Sequence, residues 1–166
     1  MPLTNNDIFG IVTHPKVRFS DQRGWLTELF RADELPSGFT PVMAYVSETL
    51  PQMSRGPHEH KEQADYLIFI GPGDLKLYLW DARPVSPTFG VKKMTTVGAS
   101  NPCGVLIPPG VVHAYKCISD IPALVYNAPN QLYAGEGKQF PPDEVRHEND
   151  LNSPYLLNDD TNWKCE

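Results

Sequence analysis

The chain has 166 residues and a formal charge of −6, from 14 lysines and arginines against 20 aspartates and glutamates. It is sized for one domain spanning 1–166 around one core, and its scattered basic residues do not form the electropositive stripe of a nucleic-acid binder. Its 17 prolines and 12 glycines exceed the roughly 12% these types average, which predicts many turns between short elements. The opening MPLTNNDIFG has no basic, apolar leader pattern, and the apolar runs are too short to cross a bilayer. The expectation is a cytoplasmic protein with neither membrane nor nucleic acid as partner. Cys103, Cys117 and Cys165 are odd in number and lack C-x-x-C spacing, so they read as reduced, and as structural or incidental.

In chain order, residues 8–13 and 17–19 read as a first pair of strands, followed by a turn at Asp21-Gln22-Arg23-Gly24. Residues 25–31 read as an extended segment, and 32–35 as one helical turn stopped by Pro36 and Gly38. Residues 42–48 alternate, and the run 66–70 is apolar enough for a buried strand. The cleanest alternation is 74–81, with Leu75, Leu77 and Leu79 on one face and Asp74, Lys76, Tyr78 and Trp80 on the other. One face is therefore expected to be core. A proline-rich connection over 81–90 leads to strands over 91–97, 104–107, 111–118 and 122–128. About ten short strands with no long helical stripe predict an all-β sandwich or barrel. Residues 131–166 are polar and irregular, and are expected to wrap it as loops and short helical turns.

Two stretches carry chemistry. In SRGPHEHKEQAD (54–65), His58 and His60 would project from one face of a strand, about 6.6–6.8 Å apart along the backbone, with Glu59, Glu62, Gln63 and Asp65 close by. In GVLIPPGVVHAY (104–115), His113 follows a proline-glycine turn on a strand that reads as buried on one face.

Taken together, these stretches resemble the two motifs of the cupin superfamily, whose fold is a jelly-roll β-barrel. Further residues narrow the resemblance: DQRGW at 21–25, Arg55-Gly56-Pro57-His58, Asp81-Ala82-Arg83, SPTFG at 86–90, IPPGVVH at 107–113 and Tyr126. Over about residues 17–137 the chain resembles the dTDP-4-dehydrorhamnose 3,5-epimerase family. That resemblance implies a sugar or nucleotide-sugar substrate and epimerisation or isomerisation by proton abstraction next to a carbonyl, with no organic cofactor. It makes His58 the general base and Tyr126, thirteen residues after His113, the acid on the opposite face of the enolate. It also gives Arg23 and Arg55 to the nucleotide diphosphate, with Glu28 and Tyr66 as further substrate contacts. The family's homodimer would place residues 8–31 at the interface, with Arg23 reaching across it.

The chain also departs from the family pattern. Tyr66 stands where the family has a lysine that supports the enolate oxygen, Met43 and Tyr45 stand near its thymine-reading residues, and no residue matches its C-terminal carboxylate. His60 is gained. With His58, His113 and either Gln63 or Asp65 it makes a four-ligand set of imidazoles and one oxygen donor, suited to a divalent metal such as zinc, manganese, iron or nickel. Such a cation would take over the lysine's role. A His58 that binds metal cannot also be a free base, and that role would pass to Tyr126, Glu62 or a metal-bound water. The alternatives are a metal-dependent cupin enzyme of other chemistry, such as a sugar-phosphate isomerase or a dioxygenase, and a non-catalytic carbohydrate-binding cupin.

Overall fold

The computed structural model describes residues 8–158 and 164–165. Among them the strands are β1 (Val12–Pro15), β2 (Phe19–Asp21), β3 (Gly24–Leu26), β4 (Tyr45–Thr49), β5 (Ser54–Glu59), β6 (Asp65–Pro72), β7 (Asp74–Asp81), β8 (Lys92–Gly98), β9 (Cys103–Ile107), β10 (Val111–Cys117), β11 (Ala123–Asn127), β12 (Val145–Arg146) and β13 (Lys164–Cys165). Single 3₁₀ turns at Glu136–Lys138 and His147–Asn149 are the described helical pieces. The architecture is all-β. One sheet has the order β1-β9-β6-β11-β4 and the other β12-β5-β10-β7-β8-β13, while β2 and β3 form a separate hairpin. The jelly-roll class expected from the sequence is present, but the two sheets face each other without closing into a continuous barrel.

The shared interior is built by period-2 alternation. Leu67 and Phe69 of β6 meet Leu75, Leu77 and Leu79 of β7, with Val105, Ile107 and Val125 filling between them. The outer faces are also covered, which the alternation in β7 did not foretell. Tyr78 and Trp80, on the face opposite the leucines, are 2% and 3% exposed. They stack at 6.2 Å, and Tyr155 and Leu157 of the C-terminal segment lie over them. On the other sheet, Tyr66, Ile68 and Ile70 pack with Phe39 and Ala128 beneath Leu29 and Leu35 of the N-terminal region. Strand β6 is thus apolar without alternation because both of its faces are buried.

The extended segment expected over 25–31 stops at Leu26. Beyond it the chain leaves the hairpin, and Leu29 packs on the outer face of the first sheet. A single hydrogen-bonded turn follows, with Glu34 N–H donating to the Arg31 carbonyl. The proline-rich connection after β7 is held by buried Asp81, whose carboxylate accepts from Arg83 Nε (2.8 Å), Ser86 Oγ (2.5 Å) and Thr88 Oγ1 (2.7 Å). No helix among the described residues is long and apolar enough to cross a membrane.

Candidate active site

A cavity of about 1150 Å³ opens between β4, β5 and the segment that follows β11. Its wall includes Tyr45, Arg55, His58, His60, Gln63 and Tyr115. At one end, His58 of β5 pairs directly with His113 of β10, so their rings meet edge-on with centres 4.4 Å apart. Gly56 makes this approach possible. Its φ is +80°, and a Cβ there would lie 2.6 Å from the His113 carbonyl oxygen and 3.0 Å from His58 Nδ1. His60 lies just past the end of β5, its ring centre 5.8 Å from that of His58 and 6.1 Å from that of His113.

Asp65, the first residue of β6 and 2% exposed, is the hub of the cluster. Oδ1 accepts from Gln63 Nε2 and Asn127 Nδ2, both at 2.8 Å. Oδ2 lies 3.1 Å from His60 Nε2 and 3.3 Å from His113 Nε2. Both are ion-pair contacts, and no hydrogen bond satisfies the buried His113 Nε2. His113 Nδ1 lies 3.1 Å from the Val111 carbonyl, and His60 Nδ1 contacts the Asp143 carbonyl. In both rings this leaves Nε2 turned toward the carboxylate.

The electrostatics follow from this crowding. Burial, then the neighbouring imidazoles of His113 and His60, push His58 down to about 2 and keep it neutral. Burial also opposes the charge on His60, but its contact with Asp65 outweighs that and raises its pKa. Burial would raise Asp65 as well, yet the imidazoles of His113 and His60 hold its carboxyl well below the usual range.

The ligand atoms of His58, His60, Asp65 and His113 lie within 4.8 Å of one another, as one metal ion would require. Of the two oxygen donors considered from the sequence, Asp65 enters this group, while Gln63 donates to it and stands 3.2 Å from His60 Nε2. The rim is fastened by Asp143, whose carboxylate accepts from the backbone N–H groups of Lys61, Glu62 and Gln63 at 3.1, 2.8 and 2.8 Å. Two residues later β12 pairs with β5, setting Arg146 opposite His58.

The chain matches the model of the family described as dTDP-4-dehydrorhamnose 3,5-epimerase over residues 5–148. It belongs to that family. Among curated relatives it is 38% identical to the "Probable low-salt glycan biosynthesis epimerase Agl13" of Haloferax volcanii over 129 residues, 76% of this chain and 79% of that protein. It is 34% identical to the spore coat polysaccharide biosynthesis protein SpsL of Bacillus subtilis, over 71% of this chain and 77% of that one. A solved dTDP sugar isomerase from Desulfovibrio desulfuricans G20 has the same fold, with a TM-score of 0.75 at 23% identity, covering 90% and 91% of the two chains.

Within this sugar-epimerase family fold, His58, Arg55, His60 and Gln63 border the cavity. Arg55 is oriented by the Glu48 carbonyl (2.7 Å) and Thr49 Oγ1 (3.3 Å). Other expected residues lie elsewhere. Tyr126 packs against the outer cluster of the first sheet, because its neighbours Val125 and Asn127 take the interior face. Tyr66 follows inward-facing Asp65 and so also points out, its hydroxyl 3.0 Å from His14 Nδ1. Arg23 is solvent-exposed in the β2–β3 turn and paired with Asp21. Glu28 borders a separate small cleft beside Lys16 and Arg31. The Glu62 side chain is exposed and lies outside the cavity wall. The sequence reading gave no role to Asn127 or Asp143; both are polar residues in otherwise unremarked positions, and only their long-range partners reveal them.

Proposed function

We propose that the chain epimerises or isomerises a nucleotide-linked 4-keto-6-deoxyhexose by removing and returning a proton beside the ketone. The observation that carries this reading is the buried His58–His60–Asp65–His113 cluster at the end of a cavity large enough for a nucleotide sugar, in a chain of a sugar-epimerase family. The dTDP-linked form is favoured by the ChmJ and RmlC neighbours, which are described in complex with dTDP sugars.

The reading includes a divalent cation on the four-residue cluster. Three imidazoles with one carboxylate suit such an ion, and no hydrogen bond satisfies the buried Nε2 of His113, which faces the cluster 3.3 Å from Asp65 Oδ2. The ion would supply Lewis acidity that stabilises negative charge on a ketone oxygen. His58 is then a ligand rather than a base, in keeping with its packing among imidazoles. Arg55 at the wall suits a diphosphate. A homodimer is supported by Phe19, Trp25 and Leu26, which the β2–β3 hairpin leaves exposed, and sedimentation checks it.

The test is incubation with a panel of nucleotide-linked keto sugars in heavy water. Deuterium is expected at the carbon beside the ketone, together with an inverted or isomerised product. Oxygen uptake without exchange, or binding without exchange, rejects the reading. Elemental analysis of untagged protein tests the cation; full activity in metal-free protein discards it.

A further inference from the structure

The reaction proposed above needs a group that returns a proton to the enolate, and Tyr126 lies on the wrong face of its strand to do so. We propose that the proton donor is Tyr45, on β4 at the cavity wall. This inference rests on the proton-transfer reading of the cavity.

Tyr45 pairs in register with Asn127 across β4 and β11, and residues paired across strands share a face. Asn127 uses one nitrogen for two bonds. Nδ2 donates to Asp65 Oδ1 at 2.8 Å and to the Tyr45 hydroxyl oxygen at 2.9 Å. The amide cannot be reversed, since its oxygen would then face the Asp65 carboxylate. This orientation leaves Asn127 Oδ1 buried without a partner. The fold thus leaves one acceptor unsatisfied while both N–H groups aim at Asp65 and Tyr45, and such an exception asks for a functional reason.

The bond's direction has a chemical consequence. Because the Tyr45 oxygen accepts from Asn127, the hydroxyl's own hydrogen is not spent on that contact and is free to point into the cavity. The enolate carbon takes this proton with its own electron pair: a C–H bond forms and the O–H bond breaks. Burial pushes the Tyr45 hydroxyl up to about 12, so it enters the step protonated; the Asn127 N–H opposes that rise and eases the phenolate left behind, which recovers a proton from water. Among the described tyrosines that border the cavity, Tyr45 is the one whose oxygen is tied to the carboxylate cluster in this way. Tyr115 is 6% exposed and packs edge-on against Phe69, and Tyr133 donates its backbone N–H to Met43 Sδ.

The experiment compares Tyr45→Phe and Tyr126→Phe with the parent on a dTDP-linked 4-keto-6-deoxyhexose carrying deuterium at the carbon beside the ketone. Label release reports enolisation, and chiral product analysis reports inversion. Tyr45→Phe is expected to release label within about tenfold of the parent rate while inverted product falls by about a hundredfold or more, the size of an acid–base contribution. Tyr126→Phe is expected to invert within about threefold of the parent. Inversion preserved in Tyr45→Phe, or lost in Tyr126→Phe instead, overturns the assignment. So does loss of both label release and inversion in a Tyr45→Phe protein that melts with the parent, since that is a binding or base defect. A parent that releases no label removes the underlying reading, a result told apart from the others before any variant is made.

Discussion

His58 and His113 stand opposite each other on neighbouring strands with ring centres 4.4 Å apart, and Asp65 supplies the one carboxylate of the cluster they form with His60. Three imidazoles this close are compatible only while they are mostly neutral or share a cation. Asp65→Asn keeps the shape and removes the charge. It is expected to lower the divalent metal retained by the untagged protein by at least about tenfold, the loss produced when even an outer-shell partner of a metal ligand is removed. Elemental analysis by mass spectrometry checks this; equal metal in both proteins removes Asp65 from the ligand set.

Gly56 gives the cluster its backbone. Alanine at φ +80° costs about 1–3 kcal/mol from conformation alone, and its Cβ would meet the His113 carbonyl at 2.6 Å, which adds to that. Gly56→Ala should therefore lower the urea midpoint clearly and separate β5 from β10 at the His58–His113 pair. An unchanged midpoint contradicts the close approach.

Acid stability should report on Asp81. Burial alone would raise its pKa, but bonds from Arg83, Ser86 and Thr88 bring it from 3.8 down to about 2. Because the folded value lies below the unfolded one, the ionised carboxylate favours the folded state. That contribution is complete above about pH 4 and disappears as the pH falls through 2. It amounts to about 2 kcal/mol, so Asp81→Asn should lose roughly that much at pH 7 and converge with the parent near pH 2. Urea unfolding at a series of pH values follows the difference.

The rim depends on one carboxylate. Removing the three acceptor contacts of Asp143 by Asp143→Ala leaves three N–H groups of 61–63 to find other partners, at about 0.5–1.5 kcal/mol each where water does not replace them. The variant is expected to exchange amide hydrogens faster at 61–63 and across β12, while β7 and β10 stay protected. Hydrogen exchange read by mass spectrometry tests it; uniform protection would show that the rim holds without Asp143.

Much of the fold was legible because burial on one side of a strand leaves a period of two. Leu75, Leu77 and Leu79 announced the interior face of β7, and the spacing of turns announced short strands. Tyr78 and Trp80 were harder: what buries them is Tyr155 and Leu157 from far along the chain, and alternation within a strand carries no information about what a distant segment lays over its other face.

The residue types of the site were likewise readable, since imidazoles and carboxylates at 58, 60, 65 and 113 have few uses together. Which tyrosine enters the cavity was not. Facing depends on the phase of a strand, and β11 shifts register against β6 between Leu124 and Val125. Alternation within β11 runs on through that point, with Ala123 and Val125 both on the interior face, so it is Asn127 rather than Tyr126 that reaches Asp65. By itself, then, the chain's order of residues determined an all-β body, a sugar-epimerase kinship and the chemistry of its cluster. Pairing across strands decided that the four ligand atoms meet and that Tyr45 joins their network, because contacts between distant segments arise from register, and register is a property of the folded sheet.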